Sequence, residues 1–163
     1  TTSTTDAESA ETGDNLLFQE SLFIEQLKIA HELKRPVSLH CVRAWDSMER
    51  HVRHILGKNS SLPLLFHGFT GSPELVRQIL THWKLNAYFS LTATRFRLNH
   101  PRSLQLLHTI PHDRLFLETD AEKAQSVKTL PDFYHKISIE LNLLPDSLCD
   151  LIRENQQRFL SIN

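Results

Sequence analysis

Three polar residues stand where apolar runs end: His40 closes Pro36-Val37-Ser38-Leu39, His67 closes Leu62-Pro63-Leu64-Leu65-Phe66, and Asp120 follows Arg114-Leu115-Phe116-Leu117-Glu118-Thr119. Two imidazoles and a carboxylate are nitrogen and oxygen donors of the kind that hold a divalent metal. A metal held this way acidifies its bound water, polarises a phosphoryl oxygen and offsets charge on a leaving oxygen. A carboxylate beside that water is suited to general-base work. Each residue also has a plainer use. A single strand-end histidine is more often a hydrogen-bonded structural residue than a ligand, and an aspartate after a strand often caps the next helix. Spacing alone leaves both readings open, although chance recurrence of all three at one topological level is harder to accept.

The elements that must position these residues alternate in period. Residues 14–34 carry Leu16, Leu17, Phe23, Ile24, Leu27 and Ala30 at three- and four-residue spacing, which predicts a helix with Asp14 as its N-cap. A strand over 36–40, a helix over 44–56 closed by Gly57, and a strand over 62–67 follow. Next come a helix over 72–83 with Ser72 capping and Pro73 in its first turn, and a strand over 87–91. A helix over 101–109, a strand over 114–118 and two tail helices broken at Leu144-Pro145-Asp146 complete the chain. Single helices between strands predict an α/β fold with about four parallel strands, whose carboxyl ends and following loops form the active face.

The composition sets limits. With 163 residues, 40% hydrophobic and 23% charged, the chain can form one ordinary globular domain. Eighteen basic and nineteen acidic residues give no basic stripe for wrapping duplex DNA, and mildly favour a small or end-on substrate. Cys41 and Cys149 are too few for a disulfide framework, so both are expected as packing residues in a reducing compartment. No run approaches a membrane span and no secretory leader is evident, so an intracellular, cytoplasmic or nuclear, location is expected, without membrane association. Residues 1–13 are small, polar and acidic, and are expected as a disordered lead before a domain over 14–163.

Local motifs then add a resemblance. RPVSLHCVRAWD, LLFHGFTGS, NAYFSLTA, IPHDRLFLETDA and the closing NQQRFL, in that order, resemble the C-terminal half of TatD-type metal-dependent hydrolases, in a eukaryotic-like form. The resemblance runs over about residues 16–160. It implies a distorted TIM-type (β/α)8 barrel and hydrolysis of phosphodiester bonds, typically in DNA, with one or two divalent ions (Mg, Mn or Zn). Residue by residue, it implies His40 and His67 as ligands of one metal, and Asp120 as a ligand of the other that orients or deprotonates the attacking water.

The departures carry equal weight. The family's opening histidine-x-histidine pair and its bridging glutamate have no match; Glu20 and Glu25 lie in a helical pattern and are poor substitutes. A full TIM barrel takes about 250 residues, and Glu122 stands where the LETDAP motif has proline. Reduced or absent nuclease activity of this chain alone is therefore expected. A catalytically silent binding or scaffold protein, or a truncated product, are the other readings. Arg43 and Arg95 are candidates for phosphate contact, with Arg97 a weaker one. Glu118, two residues before Asp120, is a candidate supporting partner, and Gly68 and Gly71 permit a tight turn after His67. Open sheet edges predict self-association or a covering protein partner.

Overall fold

The computed structural model describes residues 4–41, 44–121 and 127–160; for residues 4–14 only the backbone is described. Helix α1 (Thr4–Glu32) leads into β1 (Val37–His40), α2 (Trp45–Leu56) and β2 (Leu64–His67). Then come α3 (Pro73–Arg77), β3 (Ala87–Thr92), α4 (Pro101–Thr109) and β4 (Leu115–Glu118). Helices α5 (Leu130–Glu140) and α6 (Pro145–Leu160) close the chain. The strands form one parallel sheet in sequence order, β1-β2-β3-β4, so each connection steps to the neighbouring strand. The expected α/β alternation is therefore present, and its register aligns His40 with His67 and Thr92 with Glu118.

Parallel sheets covered on both faces read as continuous apolar runs, and β3 is buried at all six positions. On one face, Phe66 stacks on Phe89 at 5.4 Å, and Phe69 meets Phe89 and Trp45 edge-on at 4.9 Å each. Helix α2 adds Met48, Val52 and Leu56 at four-residue spacing to this core. On the other face Tyr88 and Phe116 receive Phe159 from the end of α6, at 5.5 and 6.0 Å. The NQQRFL motif is structural here. Asn155 is fully buried and its amide donates to the carbonyls of His112 and Leu115, both at 2.8 Å, while Arg158 donates to Asn155 Oδ1. The motif thus fixes the start of β4. Replacing Asn155 with alanine orphans two carbonyls and is expected to lower stability by about 2 kcal/mol. Urea unfolding followed by circular dichroism checks this, and an unshifted midpoint would contradict it.

Three expectations are revised by the structure. The first helix runs back to Thr4, through residues expected as a disordered lead, and Asp14 lies inside it rather than at its cap. Extending a formed helix adds one hydrogen bond per residue, and Ala7, Glu8, Ala10 and Glu11 are good helix formers. The helix expected over 72–83 divides. Ser72 Oγ caps it through Leu75 N–H at 3.2 Å, but beyond Arg77 it widens into a π turn, Gln78–His82, where Trp83 N–H bonds the carbonyl of Gln78. The wider turn carries Ile79 and Trp83 into the core, at 1% and 2% exposure. Cys149, expected as a packing residue, is exposed; Cys41 is partly buried against the core, and neither is in a disulfide. Burial raises the Cys41 thiol above its ordinary range, which disfavours its thiolate form.

Candidate active site at the carboxyl ends of the strands

The site begins with register. Because His40 and His67 are direct partners at the ends of β1 and β2, their rings lie side by side, 5.5 Å between centroids and tilted by 41°. His67 is held from both sides. Its Nδ1 sits 2.9 Å from Glu118 Oε2, and its Nε2 sits 3.2 Å from Asp120 Oδ1. Glu118 ends β4, and Asp120 lies two residues on, with φ of 50°. That left-handed backbone is uncommon outside glycine, and aspartate is among the residues that tolerate it. Arg95 Nη2 holds the other oxygen of Asp120 at 3.2 Å.

Glu118 is itself saturated. Its Oε1 accepts from Ser90 Oγ at 2.7 Å, from the Gly68 N–H at 2.9 Å and from Thr92 Oγ1 at 3.4 Å. Ser90 Oγ in turn accepts from Gly68 N–H at 2.8 Å. Gly68 reaches this position with φ of 54°, and a Cβ there would crowd Thr92 Oγ1. The turn after β2 is therefore shaped by what must bond Glu118. Gly71 has a separate reason for its identity: a Cβ at that position would overlap the buried ring of Phe69.

The chemistry of the pair His67–Asp120 follows from its surroundings. A carboxylate at Nδ1 fixes the proton there and leaves the Nε2 lone pair facing Asp120 Oδ1. Two lone pairs at that distance need a cation between them, either a second ring proton or a metal ion. The donors fit a divalent metal on those grounds. The fit is incomplete: among the described residues, no group of three or more histidine, cysteine, aspartate or glutamate side chains could hold a metal ion.

The remaining expected residues fall as follows. Arg43 and Glu122 lie outside the described residues. Glu20 is in α1, where it accepts from Ser47 Oγ at 2.9 Å, Arg50 at 3.2 Å and His51 Nε2. The His51 hydrogen bond holds its carboxyl below the ordinary range. It lines a cleft of about 970 Å³ that also includes His40 and Cys41. Glu25 pairs with Lys28 at 2.8 Å. Sequence reasoning did not single out Ser90 or Thr92, whose roles depend on cross-strand geometry that no local motif encodes.

The sequence pattern of TatD related DNases matches residues 9–161. The chain belongs to that family. A TatD named as a 3'-5' ssDNA/RNA exonuclease in Rahnella is 32% identical over 162 residues, covering 89% of this chain and 59% of the relative. The metal-dependent hydrolase YabD of Bacillus subtilis is 24% identical over 156 residues, covering 89% of this chain and 58% of the relative. Among solved structures, the TatD-family hydrolase of Entamoeba histolytica matches with a TM-score of 0.65 at 18% identity, over 83% of this chain and 55% of that one. The TatD homologue YJJV of Escherichia coli also gives 0.65 at 18% identity, over 85% and 55%. The chain therefore spans a little over half the length of these relatives. Its four-stranded parallel sheet is about half of their TIM-type barrel. Among the described residues, no helix is long and apolar enough to cross a membrane.

Proposed function

We propose that residues 14–163 form a partial metal-dependent hydrolase domain that acts on phosphodiester bonds of nucleic acid, with His40, His67 and Asp120 as its metal-facing residues. The observation that carries this is His67 with a carboxylate on each ring nitrogen at the carboxyl edge of a parallel sheet. The TatD relatives named as ssDNA/RNA exonucleases support nucleic acid as the substrate, and the DNase family to which the chain belongs favours DNA. A divalent ion (Mg, Mn or Zn) bound here would supply an acidified water and offset charge on the phosphoryl oxygens. The chain's own residues orient it. Glu118 fixes the His67 ring, Arg95 holds Asp120, and Asp120 would accept a proton from a water on that edge. Arg95, and Arg43 beyond the described residues, would meet substrate phosphates.

The donor set is short of what two-metal phosphoryl chemistry needs, so the isolated chain is expected to hydrolyse weakly or not at all. A protein partner or a second copy is proposed to cover the open edges of β1 and β4 and the exposed apolar residues of α1, where Leu16, Leu17 and Phe18 are 62%, 65% and 62% exposed. The proposed location is intracellular, cytoplasmic or nuclear. The test is release of nucleotides from a labelled single-stranded oligonucleotide in manganese. Slow hydrolysis, abolished by chelation and by Asp120→Asn, is expected. Rates equal to a full-length relative would contradict the reduced-activity claim. Metal-independent background alone, with no metal bound, would favour the second reading, a silent scaffold of TatD fold, to which the incomplete donor set also points.

A further inference from the structure

A second cleft, of about 340 Å³, adjoins the candidate site between the turn after β2 and the segment entering α4. Its ionisable lining groups are Arg95, His100 and Arg102, and no carboxylate lines it among the described residues. The chain as a whole carries eighteen basic and nineteen acidic residues, so this wall does not follow from composition. Helix α4 starts at Pro101, with His100 in extended backbone before it, and Arg102 and Ser103 of its first turn line the cleft. The positive end of the helix dipole therefore adds to the side-chain charge. Of the nearby carboxylates, Asp120 holds Arg95 and His67, while Glu74 pairs with Arg77 at 3.6 Å. Glu74 also lies within electrostatic reach of Arg102, so it offsets part of that charge without lining the cleft. The aromatic lining residues Phe69 and Phe96 are turned into packing with Phe89 and Phe133, which leaves charge rather than stacking as the recognition available here.

We propose that this cleft is a phosphate subsite, which seats one phosphate of a single-stranded nucleic acid next to the bond presented to His67 and Asp120. It rests on the reading of the site as one that acts on phosphodiesters, and it adds Arg102, His100 and Ser103 as the groups that seat the strand. The volume is ample for one phosphate with its sugar. Arg95 connects the subsite to the candidate active site, since it lines the cleft while holding Asp120.

The experiment is fluorescence anisotropy of the chain with a labelled single-stranded oligothymidylate in EDTA, so that no metal contributes. The parent is expected to bind, and inorganic phosphate to compete. Arg102→Ala is expected to weaken binding at least tenfold and to flatten the log–log salt dependence by about 0.7, the value for one single-strand phosphate contact. Ser103→Asp is expected to weaken binding to the same degree. An acid in the first turn favours the helix, so its melting temperature should hold, and lost binding cannot then be ascribed to unfolding. Arg153→Ala, which removes an exposed arginine of α6 that does not line the cleft, should bind as the parent does. No binding by the parent, or binding by Arg102→Ala and Ser103→Asp equal to the parent, would overturn the proposal. Arg102-dependent binding in EDTA together with no manganese binding would uphold the subsite while refuting the hydrolase reading.

Discussion

Glu118→Ala is expected to lower the stability of the chain by about 2–4 kcal/mol, through the donors it leaves without an acceptor. Ser90 is fully buried, and its hydroxyl, Thr92 Oγ1 and His67 Nδ1 converge on this one carboxylate, together with the Gly68 N–H, which would keep Ser90 Oγ as its other acceptor. Water can replace only part of that set, because the Glu118 side chain is 22% exposed. Glu118→Gln separates stability from site geometry. The amide oxygen can still accept from Ser90 and Gly68, but its NH2 then meets His67 Nδ1. The imidazole must move its proton to Nε2, which removes the lone pair that faces Asp120. A near-parental unfolding midpoint for the glutamine variant is therefore expected, with metal affinity lowered 10- to 100-fold. Denaturant unfolding and manganese titration of both variants provide the check. Equal metal affinity in parent and glutamine variant would show that Glu118 does not orient the ring.

His67→Ala is expected to have the opposite profile, with a small change in stability and a loss of manganese affinity of at least about 100-fold. The ring lies at the strand end with 23% of its side chain exposed, so the space left by its removal is open to water. Glu118 keeps its three Oε1 donors, and Asp120 keeps Arg95. What disappears is the side chain that joins Glu118 to Asp120. Calorimetric titration with manganese measures the affinity, and retention of parental binding would place the metal elsewhere.

The strands and their parallel pairing were readable because each is a short apolar run bounded by a turn signal, and single helices between such runs leave few topologies other than a parallel sheet. The strand-end positions of His40 and His67 were readable for the same reason. From spacing Asp120 was readable as a residue after a strand with two readings open, and the resemblance of LETDA to the family motif gave it the metal-facing one. That it turns back onto His67 depends on a positive φ, which an aspartate tolerates but does not announce. The supporting shell was largely hidden. Glu118 could be suspected from its spacing to Asp120, but Ser90 and Thr92 reach it across a strand boundary fixed by register alone. The extended α1 was missed because polar composition was weighed above helix propensity. The division after Arg77 was missed because core packing of Ile79 and Trp83, rather than any local signal, sets the turn there. The cationic cleft draws Arg95 and Arg102 from separate segments, so charge counted along the chain could not reveal it.

The central claim is that His40, His67 and Asp120 form the metal-facing edge of this sheet. Calorimetric titration of the purified chain with manganese, beside His40→Ala, tests it most directly. The account predicts one manganese per chain, weakened strongly when His40 is removed. No heat of binding in the parent, or binding indifferent to His40, would contradict it and leave the strand-end cluster as a structural feature of a silent TatD-type fold.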